Sequence, residues 1–125
     1  MARFFGILTR LSSFSRETLT TRAISQADLV TTEFNVLELT YALFRDFGRD
    51  EAANVITFIR FKIEIVPTED SDYLNASEFM PSANRTGKKL SLVEALGYSY
   101  SRKLGIKFLT GDKEFIEMEN VEYVM

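Results

Sequence analysis

The side chains that can do chemistry in this sequence are carboxylates, hydroxyls and cations, because it contains no Cys and no His. That composition excludes thiolate and imidazole catalysis, structural zinc and disulfides. Any metal held here must sit among oxygen ligands, which means a hard ion such as Mg²⁺ or Mn²⁺. Asp112 stands in the most suggestive place. It closes Thr110-Gly111-Asp112, directly after the short apolar run Ile106–Leu109, which reads as a strand buried in a parallel sheet. A carboxylate there lies in the crevice beyond the strand's carboxyl end, where open α/β sheets take their ligands. Ser91-x-x-Glu94 has the form of a helix capping box, which by itself accounts for both residues. Arg85, Lys88, Lys89, Arg102, Lys103 and Lys113 gather in sequence around these segments, a charge pattern that can meet a nucleic-acid backbone but more often is only a solvated face.

The elements that must carry these groups follow from periodicity and punctuation. Ser91 caps a helix over Leu92–Leu104, with Leu92, Val93, Leu96, Tyr100 and Leu104 at helical spacing and Gly105 as its left-handed stop. Upstream, Phe4, Leu8, Leu11 and Phe14 recur at helical intervals and predict an amphipathic helix. The first 27 residues hold four arginines and a single acid, Glu17. That resembles a transit peptide in composition, but the segment runs into Asp28 without a cleavage signal, so a packing helix is the better reading. Leu29–Thr32 is a strand, Phe34–Phe47 a helix closed by Gly48, and Asp50–Phe61 a second helix with Ala53, Ile56 and Ile59 inward. Lys62–Val66 is a strand, Thr68 caps a helix over Glu69–Met80 with Tyr73 and Phe79 in the core, Pro81–Gly87 is a loop, and Val121–Met125 an edge strand. The order predicts a three-layer α/β/α domain with a mainly parallel sheet.

A chain of 125 residues with 46% hydrophobic content makes one domain spanning 1–125, and its net charge of −3 does not describe a general polyanion binder. No apolar run reaches membrane-spanning length. The glycines form neither a Walker loop nor a dinucleotide fingerprint, which argues against a nucleotide-driven enzyme.

The phrase LSLVEALGYSYSRKLGIKFLTGDKEF resembles the C-terminal half of PIN domains, especially VapC-like toxin ribonucleases. Thr110, Asp112 and Phe115 match the family's Thr-x-Asp-x-x-Phe segment, and Glu94 occupies the helix-start position where the family usually carries Asp. TTEFNVLELTYALFR resembles the family's Glu-Leu pair on an early helix, with Glu38 in that place. The resemblance implies that Glu38, Glu94 and Asp112, far apart in sequence, converge to hold Mg²⁺ or Mn²⁺, and that Thr110 joins them in the active site. Gly111 is expected to take a backbone conformation closed to other residues and so aim Asp112, and Asn35, one turn before Glu38, to support it. The implied activity is metal-assisted hydrolysis of RNA phosphodiesters by a cytoplasmic toxin silenced by a cognate antitoxin protein. The resemblance also implies a homodimer, since family members commonly pair, and gives no reason to expect a membrane. One family marker has no counterpart: a first strand ending in Asp is not legible before Asp28, and ARFFGILTR reads instead as the helix after such a strand. The sequence therefore predicts an N-terminally truncated domain, and with it an alternative function, a catalytically inactive PIN-like module that binds RNA or protein.

Overall fold

The computed structural model describes residues 3–6 and 28–123. Its elements are β1 (Arg3–Gly6), β2 (Asp28–Thr31), α1 (Glu33–Phe47), α2 (Arg49–Lys62), β3 (Glu64–Ile65), α3 (Asp70–Arg85), α4 (Leu92–Leu104), β4 (Lys107–Thr110), a 3-10 turn (Lys113–Phe115) and β5 (Val121–Tyr123). The strands form one sheet in the order β3-β2-β1-β4-β5, and every pairing is parallel.

A parallel sheet needs cover on both faces, and the strands meet that need. Successive residues point to opposite faces, yet Leu29 and Val30 of β2 are both buried, as are Phe108 and Leu109 of β4. The architecture is therefore a three-layer α/β/α domain. On one side, Phe108 packs with Val30, Ala83, Leu90, Tyr98, Tyr100 and Phe115. The rings of Tyr98 and Phe108 meet edge to face at 5.7 Å, and those of Phe108 and Phe115 stand 4.9 Å apart. Contacts of this kind add to the stabilisation from area burial alone.

Two local predictions hold in detail. Ser91 caps α4 with both arms of the capping box, and Gly105 closes it at φ 69° in the left-handed region. Gly48 ends α1 at φ 90°, a conformation that favours glycine, while the next helix opens at Arg49 directly after it rather than at Asp50.

Other predictions are corrected. The helix expected from Phe4 does not begin there: Arg3–Gly6 is a strand and the centre of the sheet, pairing Phe5 with Val30 on one side and with Phe108 on the other. A short run with two adjacent phenylalanines fits a strand as well as a helix, and the two flanking strands decide it. This central strand has no acid among its residues; the remainder of the expected helix lies outside the described residues. Next, α3 runs through Pro81 to Arg85, where a loop is expected. Burial of Ala83 in the core outweighs the local cost of the proline, and the helix is capped at Glu69 rather than Thr68. Ala52, not Ala53, faces inward on α2, and Tyr73 is exposed rather than core. On α4, Leu92 and Leu104 are exposed while Tyr98 takes the core position. Among the described residues no helix is long and apolar enough to cross a membrane.

Candidate functional site

Topology gathers the candidate acids at one edge of the sheet. Thr32, directly after β2, caps α1: its hydroxyl accepts the Asn35 main-chain N–H at 3.2 Å. Glu38 follows Asn35 by one turn, so α1 carries it at the carboxyl end of β2. Gly105 reverses the chain between α4 and β4, which puts the N-terminus of α4 at the same edge as Asp112.

Hydrogen bonds tie these pieces together. The Ser91 main-chain N–H donates to Glu94 Oε1 at 2.9 Å, the Glu94 N–H donates to Ser91 Oγ at 3.0 Å, and Ser91 Oγ reaches Glu38 Oε2 at 3.5 Å. The first turn of α4 therefore joins Glu38 to Glu94. Three residues earlier in the chain, Lys88 Nζ donates to the Glu114 carbonyl at 2.8 Å, which ties the same turn to the loop of Asp112. Asp112 is itself held from both sides. Its main-chain N–H donates to Thr110 Oγ1 at 3.0 Å, and its Oδ1 accepts the Glu114 N–H at 3.0 Å, capping the 3-10 turn. Phe115 anchors that turn in the aromatic core.

Burial separates the three acids. Glu94 and Asp112 are each 3% exposed, while Glu38 is half-buried. Burying carboxylates is expensive unless the surroundings repay the cost, so their placement marks the edge as a candidate site. As oxygen donors the three are of the kind that suits a hard divalent ion. Among the described residues, however, no three acids stand close enough to hold one ion together.

Two expectations about the site change. Gly111 is not one of the left-handed glycines, which are Gly48, Gly87 and Gly105 among the described residues. The hydroxyl of Thr110 and the cap on Glu114 orient Asp112 instead. The expected basic cluster splits in two. Lys88, Lys89 and Lys113 flank the acids in the chain, whereas Arg102 and Lys103 lie on the last turn of α4, about 18 Å along the axis from Ser91 at a rise of roughly 1.5 Å per residue. There Arg102 lies over the Tyr98 ring at 5.9 Å, and Lys103 Nζ donates to the buried Asp72 at 2.9 Å. That hydrogen bond holds the Lys103 ammonium above its ordinary pKa, and burial raises the phenols of Tyr98 and Tyr100. Sequence reading passed over Thr32, although Thr-x-x-Asn at a helix start is the signal that finds it.

An all-parallel three-layer sheet with buried carboxylates at its carboxyl edge defines an α/β domain of the class that commonly takes ligands at that edge. The chain belongs to the PIN domain family, whose model matches residues 8–121. Solved structures share the fold over nearly the whole chain. VapC20 of Mycobacterium tuberculosis, described as a sarcin-ricin loop cleaving toxin, superposes with a TM-score of 0.73 at 17% identity, covering 98% of this chain and 99% of that one. VapBC2 of Rickettsia felis, bound to a DNA fragment from its promoter, gives 0.70 at 12% identity with full coverage of both chains. The DNA-bound VapBC of Salmonella typhimurium gives 0.69 at 12% identity, covering 98% and 97%. No curated protein sequence matches this chain.

Proposed function

We propose that this PIN domain is a metal-dependent endoribonuclease of the VapC type, the toxin of a toxin and antitoxin pair, acting on RNA in the cytoplasm. The observation that carries the reading is the burial of Glu94 and Asp112, at 3% exposure each, on the sheet edge that Glu38 also reaches through Ser91. Glu38, Glu94 and Asp112 would have to draw closer than they stand here to hold Mg²⁺ or Mn²⁺ together. Such an ion supplies activated water and neutralises charge on the phosphate.

The chain's own residues set the stage for that chemistry. Ser91 fixes one oxygen of Glu94 through its main-chain N–H, and Thr110 holds the Asp112 main chain in place. Lys89 and Lys113, both exposed, are positioned to meet the RNA backbone. The complexes of Rickettsia felis and Salmonella typhimurium support a cognate antitoxin as partner. A homodimer remains part of the proposal on family grounds.

A specific observation favours a second reading, that of a non-catalytic PIN module binding RNA or protein. Strand β1 reads Arg-Phe-Phe-Gly, so no carboxylate comes from the centre of the sheet, and one oxygen of Glu94 already serves the capping box. Incubation of purified protein with labelled RNA in Mn²⁺ or Mg²⁺ separates the two. The nuclease reading requires cleavage that stops in EDTA and in Asp112→Asn. Cleavage persisting under both conditions contradicts it, and no cleavage by wild type leaves the binding module.

A further inference from the structure

Among the described residues, Asn35 is a buried polar side chain at this edge whose bonding is incomplete. It is 2% exposed, and its Nδ2 is buried without a hydrogen-bond partner among the described residues. Its orientation is fixed by Thr32. The Thr32 hydroxyl oxygen accepts the Asn35 main-chain N–H, and the hydroxyl donates to Asn35 Oδ1 at 2.5 Å. In this arrangement the NH₂ end of the amide is the one left over. A buried donor without an acceptor costs free energy and calls for an explanation.

The surroundings indicate what kind of acceptor would satisfy it. Asn35 lies in the first turn of the 15-residue α1, where main-chain N–H groups lack partners inside the helix and the helix dipole favours negative charge. The turn follows β2 at the carboxyl edge, one helical turn before Glu38. Nearby acids have partners of their own on the protein: Glu94 Oε1 on Ser91, Asp112 Oδ1 on Glu114. An oxygen that arrives with a ligand would satisfy the Asn35 donor.

We propose that Asn35 Nδ2, with the N-terminal turn of α1, is a phosphate-binding element that positions the substrate's phosphodiester through a non-bridging oxygen. The inference rests on the nuclease reading and deepens it. As a neutral donor, the amide contacts phosphate without competing with a metal ion for the carboxylates. Asn35 is on this account a positioning residue.

Fluorescence anisotropy of a labelled single-stranded oligoribonucleotide, in EDTA so that nothing is cleaved, tests it on the full chain. Asn35→Leu removes the donor at similar volume, and Asn35→Asp replaces it with negative charge. Affinity is expected to fall about tenfold in the first, the scale of one hydrogen bond to a charged group, and further in the second. The thermal midpoint of Asn35→Leu should stay within a few degrees of wild type, because an unsatisfied buried donor has been removed. Undiminished RNA affinity in both variants overturns the proposal, as does a wild-type protein that binds no RNA. A collapse of midpoint and affinity together in both variants marks Asn35 as structural and overturns it equally. If binding behaves as expected but wild type with Mn²⁺ never cleaves, the nuclease reading fails while the phosphate contact stands.

Discussion

Replacing Glu94 by Gln separates a helix cap from a catalytic carboxylate. Both arms of the capping box survive the change, because the Gln carbonyl can accept the Ser91 N–H that Glu94 Oε1 now takes at 2.9 Å, and the Glu94 N–H still reaches Ser91 Oγ at 3.0 Å. What is lost is charge. A hydrogen bond to a charged group is worth about 1 kcal/mol more than a neutral one, and an acid in the first turn gains about 0.3–1 kcal/mol from the helix dipole. Against these, a neutral amide is cheaper to bury than a carboxylate at 3% exposure. The terms oppose each other, so the net change is within about 1 kcal/mol and the thermal midpoint moves by no more than about 4 °C. Ser91→Ala breaks the cap itself and costs about 1 kcal/mol. Cleavage should divide the variants the other way. Glu94→Gln should lose more than about a hundredfold in rate, since even outer-sphere partners of metal sites cost about 10- to 100-fold, whereas Ser91→Ala, which removes only such a partner and leaves the carboxylate, should lose about tenfold. Thermal melts run beside RNA cleavage in Mn²⁺ read both quantities. A Glu94→Gln protein that melts and cleaves like wild type refutes the reasoning and leaves Glu94 as a cap alone.

Phe115 is fully buried and packs on Tyr98 and Phe108, so Phe115→Ala should cost about 3–5 kcal/mol in chemical denaturation; a loss below about 1 kcal/mol would mean that the Asp112 turn is not anchored as described. Stability should also fall in alkali. Lys103 is held above its ordinary 10.5, chiefly by its hydrogen bond to Asp72, and Tyr98 and Tyr100 are raised above 10.0, chiefly by burial. The folded state therefore keeps these protons longer than the unfolded one. The stability they contribute is complete below the ordinary values and is lost as pH rises through the folded ones. Thermal midpoints should decline above about pH 10, and a flat profile to pH 11 would contradict these contacts.

The parts of the fold legible in the sequence are those decided by near neighbours. Ser91, Glu94 and Gly105 lie within one helix and its caps, and α4 has the predicted bounds. Gly48 ends one helix for a similarly local reason. Pro81 misled because its local signal is strong while the pull on Ala83 comes from a core assembled across the whole chain. Strand β1 misled because its four residues are too few to show a period, and its identity depends on partners more than 20 and 100 positions away. At the site, resemblance placed Glu38, Glu94 and Asp112 on candidate elements. The bonds that join them, Ser91 to Glu38 and Lys88 to Glu114, are tertiary and leave no mark in sequence spacing. The cations divided unexpectedly because one helix carries Arg102 and Lys103 away from its own N-terminus.

Mn²⁺ binding, followed by electron paramagnetic resonance on wild type and Asp112→Asn, tests the central claim most directly, because it asks whether the acids at the sheet edge act together without depending on the choice of RNA. The account predicts an ion bound by wild type and released or markedly weakened in Asp112→Asn, with the thermal midpoint of the variant preserved. Wild type that binds no Mn²⁺, or a folded Asp112→Asn protein that binds it equally well, would contradict the acidic edge as a metal-dependent nuclease site.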